Sequence, residues 1–125
     1  RSPGAVEARP GVWQQGTVDV DPAAILGAPV LLGAGSRIEA GARVAGSVLG
    51  SGVSVGAGAH VEGAVLHRDA RVEAGAVVRD AVVGPGAVVG SDAVVDGETI
   101  VGADAAVAPG TRISGGRIPA PTTVP

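Results

Sequence analysis

The sequence predicts an all-β protein: a parallel β-helix of triangular cross-section, with about five to six coils. The first sign is a register of aliphatic residues. Val20, Leu26, Leu32, Ile38, Val44, Leu49, Val55, Val61, Leu66, Val72, Val78, Val83, Val89, Val95, Val101, Val107, Ile113 and Ile118 follow one another at gaps of six. The gap shortens to five at Val44–Leu49, Val61–Leu66, Val78–Val83 and Ile113–Ile118. Val, Leu and Ile make up only about a quarter of the chain, so composition does not produce an unbroken run. A short fixed period of this kind marks a solenoid in which each turn buries one apolar residue per side. Second, the short gaps at Val44, Val61 and Val78 recur every 17 residues, which divides a coil into sides of six, six and five. Third, the chain has 22 Gly and a single aromatic residue, Trp13, with no Phe, Tyr, Met or Cys. A globular core is hard to fill from such a set, whereas a narrow stacked prism needs only Val, Ile, Leu and Ala, and its corners favour Gly.

The elements follow in chain order. Residues 1–19 are off register and hold Pro3, Pro10 and three glycines, so they read as a linker and irregular lead-in, with Trp13 capping the first coil or packing on another domain. The β-helix spans residues 20–118. Its coils are 26–43, 44–60, 61–77, 78–94 and 95–112, with partial turns at either end; the coil from Val95 regains a sixth residue on its short side. Each side is a short parallel strand stacked at about 4.8 Å on the coil below. Residues 119–125 form a Pro-rich tail, in which Pro119, Pro121 and Pro125 are expected to stop strand pairing.

Nine basic residues, all Arg, stand against twelve acidic ones, for a net charge of −3. That balance offers no electrostatic reason to expect nucleic acid or an anionic membrane as partner. No apolar run approaches the roughly 20 residues that span a bilayer. No basic-then-apolar leader opens the chain, and there is no Cys for disulfides, so the expected address is cytoplasmic. The start at Arg1 allows a longer parent protein.

Stacking the coils defines columns. Ala45, Glu62, Arg79 and Asp96 line up, placing opposite charges on neighbouring coils, each pair contributing about 0.2–1 kcal/mol or less when exposed. Directly before the core slots on another side stand Val48, Val65, Val82 and Ile100, continued downward by Val30 or Leu31. Two readings stay open for this column. Either the shortened side turns it into the corner as core, or it is an exposed apolar stripe that meets a partner.

The repeating unit is an aliphatic residue, a small one, two variable ones and a small one. It resembles the left-handed parallel β-helix proteins; the left hand is what that resemblance implies, against the usual right-handed crossover. The stretch Val20–Ile38, the short unit Arg79-Asp80-Ala81-Val82-Val83-Gly84 and the ending Val107–Ile113 are similar to the carboxy-terminal domain of sugar-1-phosphate nucleotidyltransferases, mannose-1-phosphate guanylyltransferases above all. The likeness covers residues 20–118. It implies that a separate amino-terminal domain turns a nucleoside triphosphate and a sugar-1-phosphate into a nucleotide-sugar, such as GDP-mannose, and pyrophosphate. A glycine-rich loop, a Lys and Mg²⁺-holding acidic residues would belong to that domain. This chain has no Lys and no strand-then-helix pattern. It is therefore expected to be non-catalytic and without a cofactor of its own, serving assembly and regulation. Its expected partners are the nucleotidyltransferase domain, on the same or another chain, and further copies of itself in a homo-oligomer.

The alternative is an acyl-CoA-dependent acyltransferase of the same fold, working as a trimer with a histidine base. The candidate bases are His60, which precedes Val61 and stacks on Arg43, and His67, which follows Leu66. Both are expected to point outward, and no long loop projects from a coil to build an acceptor site. Two histidines seven residues apart also fall short of the three that γ-class carbonic anhydrases bring to zinc. Gly50-Ser51-Gly52 and Gly84-Pro85-Gly86 recur at the repeat period and open no helix, so they read as corners rather than phosphate loops. Asp69, Asp92 and Asp104 sit beside Gly or Ala near corners, as turn-forming carboxylates do.

Overall fold

A computed structural model describes residues 5–124; residues 1–4 and Pro125, parts of the expected lead-in and tail, lie outside them. The strands in chain order are β1 (Ala5–Arg9), β2 (Val12–Gln15), β3 (Asp19–Val20), β4 (Ile25–Leu32), β5 (Arg37–Ile38), β6 (Arg43–Leu49), β7 (Ser54–Val55), β8 (His60–Glu62), β9 (Val65–Leu66) and β10 (Arg71–Val72). They continue as β11 (Val77–Arg79), β12 (Val82–Val83), β13 (Val88–Val89), β14 (Val94–Asp96), β15 (Ile100–Val101), β16 (Ala106–Val107), β17 (Arg112–Ser114), β18 (Arg117–Ile118) and β19 (Thr123–Val124). Among the described residues no helix is present, and none is therefore long and apolar enough to cross a membrane.

The chain winds as a parallel β-solenoid of about seven turns. Three ladders make its sides. The first pairs β4, β6, β8, β11, β14 and β17 through Leu26↔Val44↔Val61↔Val78↔Val95↔Ile113. On the second side, Leu32↔Leu49↔Leu66↔Val83↔Val101↔Ile118 are paired in register. The third reads Val20↔Ile38↔Val55↔Val72↔Val89↔Val107. β4 and β6 run through a corner and so join the first two sides into one hydrogen-bonded sheet, while the third side is a separate seven-stranded sheet. Every expected register pair is present.

The core is one column inside these ladders. Of the register positions, only Val20, Leu26 and Ile113, near the two ends, are less than fully buried. A second inward position, two residues before each slot, carries small side chains: Ala42, Ala59, Ala76 and Ala93 on one side, Val53, Ala70, Ala87 and Ala105 on another. The second side puts Ser47, Ala64, Ala81 and Thr99 there. Its two hydroxyls are fully satisfied, as burial requires. Ser47 Oγ donates to the Ala45 carbonyl at 2.8 Å and accepts the Ala64 N–H at 3.1 Å. Thr99 Oγ1 donates to the Asp96 carbonyl and accepts the Gly115 N–H, both at 2.7 Å, at the corner that the extra residue of this coil widens.

Three expectations need correction. Pairing runs past both predicted ends, which raises the coil count. β2 stacks on β4 through Trp13↔Leu31 and Gln14↔Leu32, and β1 folds back on β2 as an antiparallel hairpin. Gln14 sits where the register would need an aliphatic residue, and for that reason the sequence pattern stops short of it. At the other end, β19 pairs with β16 through Val107↔Val124. Pro119 and Pro121 fall in the turn between β18 and β19, so they remove no ladder donor there. Finally, Glu62 and Arg79 are adjacent in register, yet no ion pair forms in that column. The ion pairs among the described residues are Arg37–Asp19 at 3.5 Å and Arg71–Glu73 at 3.7 Å, on the third side. Long exposed side chains gain too little from pairing to give up their freedom.

Candidate interaction face

Alternation along a strand turns the residue before each core slot outward, and the three sides differ in what they show there. The third side is polar at its lower end, with Asp19, Arg37, Ser54 and Arg71. The first is mixed: Ile25, Arg43, His60, Val77, Val94 and Arg112. The second is apolar from rung to rung, Trp13↔Leu31↔Val48↔Val65↔Val82↔Ile100, until Arg117 ends it. Val48 is 43% exposed, Val65 37% and Ile100 39%, while Leu31 and Val82 are half-buried. Val48, Val65, Val82 and Ile100 thus form an outward column, and the corner-core reading does not hold. Val30 is the buried one of the pair Val30 and Leu31.

Trp13 heads this column instead of capping the end of the prism. It lines an open groove with Pro29, Leu31 and Val48. A second open groove lies higher on the same side, where Val65, Val82 and Ile100 meet the corner carrying Asp80 and Glu98. Sequence reasoning missed Trp13 as a member, although 18 residues back from Leu31 leads to it.

The candidate bases stand on different sides. His60, half-buried on the first, lies in register between Arg43 and Val77. His67 is exposed on the second side, one residue past Leu66, and beside the apolar column. Among the described residues neither imidazole has a protein hydrogen-bond partner, and no three or more His, Cys, Asp or Glu side chains gather closely enough to hold a metal ion.

Asp69, Asp92 and Asp104 occupy corners with left-handed backbone, at φ 60°, 60° and 57°. Each carboxylate stands over the glycine one coil earlier (Gly52, Gly75 and Gly86), in the space that a Cβ there would fill. Asp69 and Asp104 share one corner with Gly86 between them, and Asp92 stands at another.

A family model described as the EIF2B subunit epsilon LbH (left-handed β-helix) domain matches residues 9–113. No curated protein sequence matches the chain. Among solved structures, the acetyltransferase domain of PglB from Neisseria gonorrhoeae FA1090 is 30% identical with a TM-score of 0.82, over 86% of this chain and 53% of that one. The same domain in complex with acetyl coenzyme A aligns at 27% identity and a TM-score of 0.64, over 88% and 52%. A mutant perosamine N-acetyltransferase from Caulobacter crescentus, in complex with CoA and GDP-perosamine, shares the fold at 22% identity and a TM-score of 0.61, over 87% and 49%. The chain spans about half the length of each of these structures.

Proposed function

We propose that this chain, which belongs to the EIF2B subunit epsilon LbH-domain family of left-handed β-helices, is the non-catalytic assembly domain of a nucleotide-sugar pyrophosphorylase. The parent reaction joins a nucleoside triphosphate to a sugar-1-phosphate and releases pyrophosphate; the finer form of the reading is GDP-mannose synthesis in the cytoplasm. Its catalytic groups and Mg²⁺ belong to an amino-terminal nucleotidyltransferase domain. The observation that carries this reading is the unbroken outward apolar column from Trp13 to Ile100 on one side of the prism. A solvent-facing apolar stripe of this length marks a contact surface. It would hold the catalytic domain or further copies of the chain.

A double substitution, Val65→Glu with Val82→Lys, tests this. Both side chains face outward, so the variant is expected to keep a cooperative melt while sedimenting as a smaller species or losing its hold on the nucleotidyltransferase domain. Folded protein with unchanged association would remove the column as an interface.

The likeness to the PglB acetyltransferase domain favours a second reading, an acyl-CoA-dependent acyltransferase. Under the assembly reading the chain alone is expected to release no free CoA from acetyl-CoA in the presence of amino-sugar acceptors. Turnover that disappears in His60→Ala or His67→Ala would establish the transferase instead.

A further inference from the structure

Resting on the reading of the apolar column as a contact surface, we infer that its upper groove receives a basic, apolar segment of a different protein. Arginine or lysine head groups of that segment meet an acidic corner, and its aliphatic side chains lie on the groove floor. The floor is Val65, Val82 and Ile100, on consecutive rungs of the second side. Along one edge runs the corner where the chain passes from the first side to the second, and Asp80 and Glu98 line the groove there. They stand on neighbouring coils, tied by a bond from the Glu98 N–H to the Asp80 carbonyl at 2.7 Å. Both residues are exposed.

Charge selects the occupant. The same corner carries Glu62 and Asp96, so four acidic residues on three consecutive coils surround a single base, Arg79. The rest of the chain holds eight Arg and eight acidic residues, so the whole net charge of −3 sits at this corner. Among the described residues no ion pair or side-chain hydrogen bond engages any of the four carboxylates. An excess of one sign beside apolar walls draws the opposite charge. A lysine or arginine suits both parts of the groove, because its stem covers apolar surface while its head stays with the carboxylates. Arg117, in register above Ile100, closes the upper end to a further cation.

Other occupants fit less well. A second copy bringing the same corner would set like charges together, which works against association. A free amine would find only one wall of sheet, whereas small-ligand pockets enclose most of their ligand. A segment carried by a larger partner is held from outside, and it has room to continue down the column over Val48 and Leu31.

Fluorescence anisotropy with dye-labelled, end-blocked peptides tests this. Three probes alternate leucine with arginine, serine with arginine, and leucine with glutamate. The leucine–arginine probe is expected to bind the intact chain at least tenfold more tightly than either of the others. Asp80→Asn with Glu98→Gln is expected to weaken it at least tenfold, and Asn accepts the left-handed backbone that Asp80 holds at φ 47°. Glu39→Gln with Glu73→Gln, the same charge change on the third side, is expected to leave binding within twofold. Equal binding of the serine–arginine probe, or equal loss in both double variants, would mean attraction by net charge alone and overturn the inference. Dissociation of an oligomer by the probe would place a second copy in the groove, and competition by butylamine at the probe's own concentration would make it a small-amine site; either also overturns it. Failure of the reading beneath it looks different. If the Val65→Glu, Val82→Lys variant loses association while the leucine–arginine probe does not bind, the column meets a partner of other chemistry and only this inference falls. If that variant associates as before, the contact-surface reading falls and takes this inference with it.

Discussion

Val72→Asp is expected to abolish cooperative thermal unfolding, while Arg71→Asp, one residue earlier, shifts the midpoint by a few degrees at most. Val72 is 1% exposed and pairs in register with Val55 below and Val89 above. A carboxylate there has no partner within the column, and stripping it of water costs several kcal/mol. Set against a total stability of about 5–15 kcal/mol for a domain, that is enough to lose the fold. Arg71 points out of the same strand with a side chain 63% exposed, in an ion pair with Glu73 at 3.7 Å. Exposed pairs contribute about 0–1 kcal/mol, so reversing this charge changes little. Melts followed by circular dichroism separate the two, and equal losses would contradict the inward placement of Val72.

Gly84→Ala is expected to be clearly more damaging than Gly58→Ala. A Cβ at Gly84 would lie 2.8 Å from three backbone atoms of the next coil, Ala103 N, the Gly102 carbonyl carbon and Val101 O. Backbone cannot move aside as a side-chain tip can; opening the stack there also breaks the Gly84 N–H to Val101 carbonyl bond, 2.7 Å long. Overpacking of this kind costs typically about 1–3 kcal/mol, and more when rigid atoms are involved. Gly58, with φ +68°, has nothing within 4 Å of its missing Cβ, so alanine meets only the left-handed backbone penalty of about 1–2 kcal/mol. Urea titrations at equal protein concentration give the comparison. A smaller loss at Gly84 than at Gly58 would mean that the coils separate more easily than their ladders imply.

How much of this was legible beforehand depends on how far a feature repeats. The coil boundaries, the three sides and every core pair followed from the sequence, because a residue at a slot is stacked between two others of the same kind and has no second way to be buried. Isolated features were harder. Gln14 in a slot broke the aliphatic pattern, so β2 and its hairpin with β1 lay hidden in the lead-in, and Trp13 went unrecognised as part of the outward column. Pro119 and Pro121 suggested an end to pairing, but a proline stops a ladder only where its nitrogen would have donated, and β19 pairs beyond them. Glu62 and Arg79 shared a column without forming an ion pair, since register sets the backbone and leaves exposed side chains free.

The sequence by itself therefore determined the solenoid, its three-sided coil and the identity of its core, all consequences of a period that each coil must obey. Only the tertiary structure decided which way Val48, Val65, Val82 and Ile100 face. A five-residue side can turn the residue before its slot into the corner or out to water, and the aliphatic composition suits both. The choice fell outward because Ser47, Ala64, Ala81 and Thr99, one position earlier, already fill that corner. Tertiary structure likewise separated His60 from His67, placing them on different sides of the prism although only seven residues lie between them, because the short side between Val61 and Leu66 carries the chain around a corner.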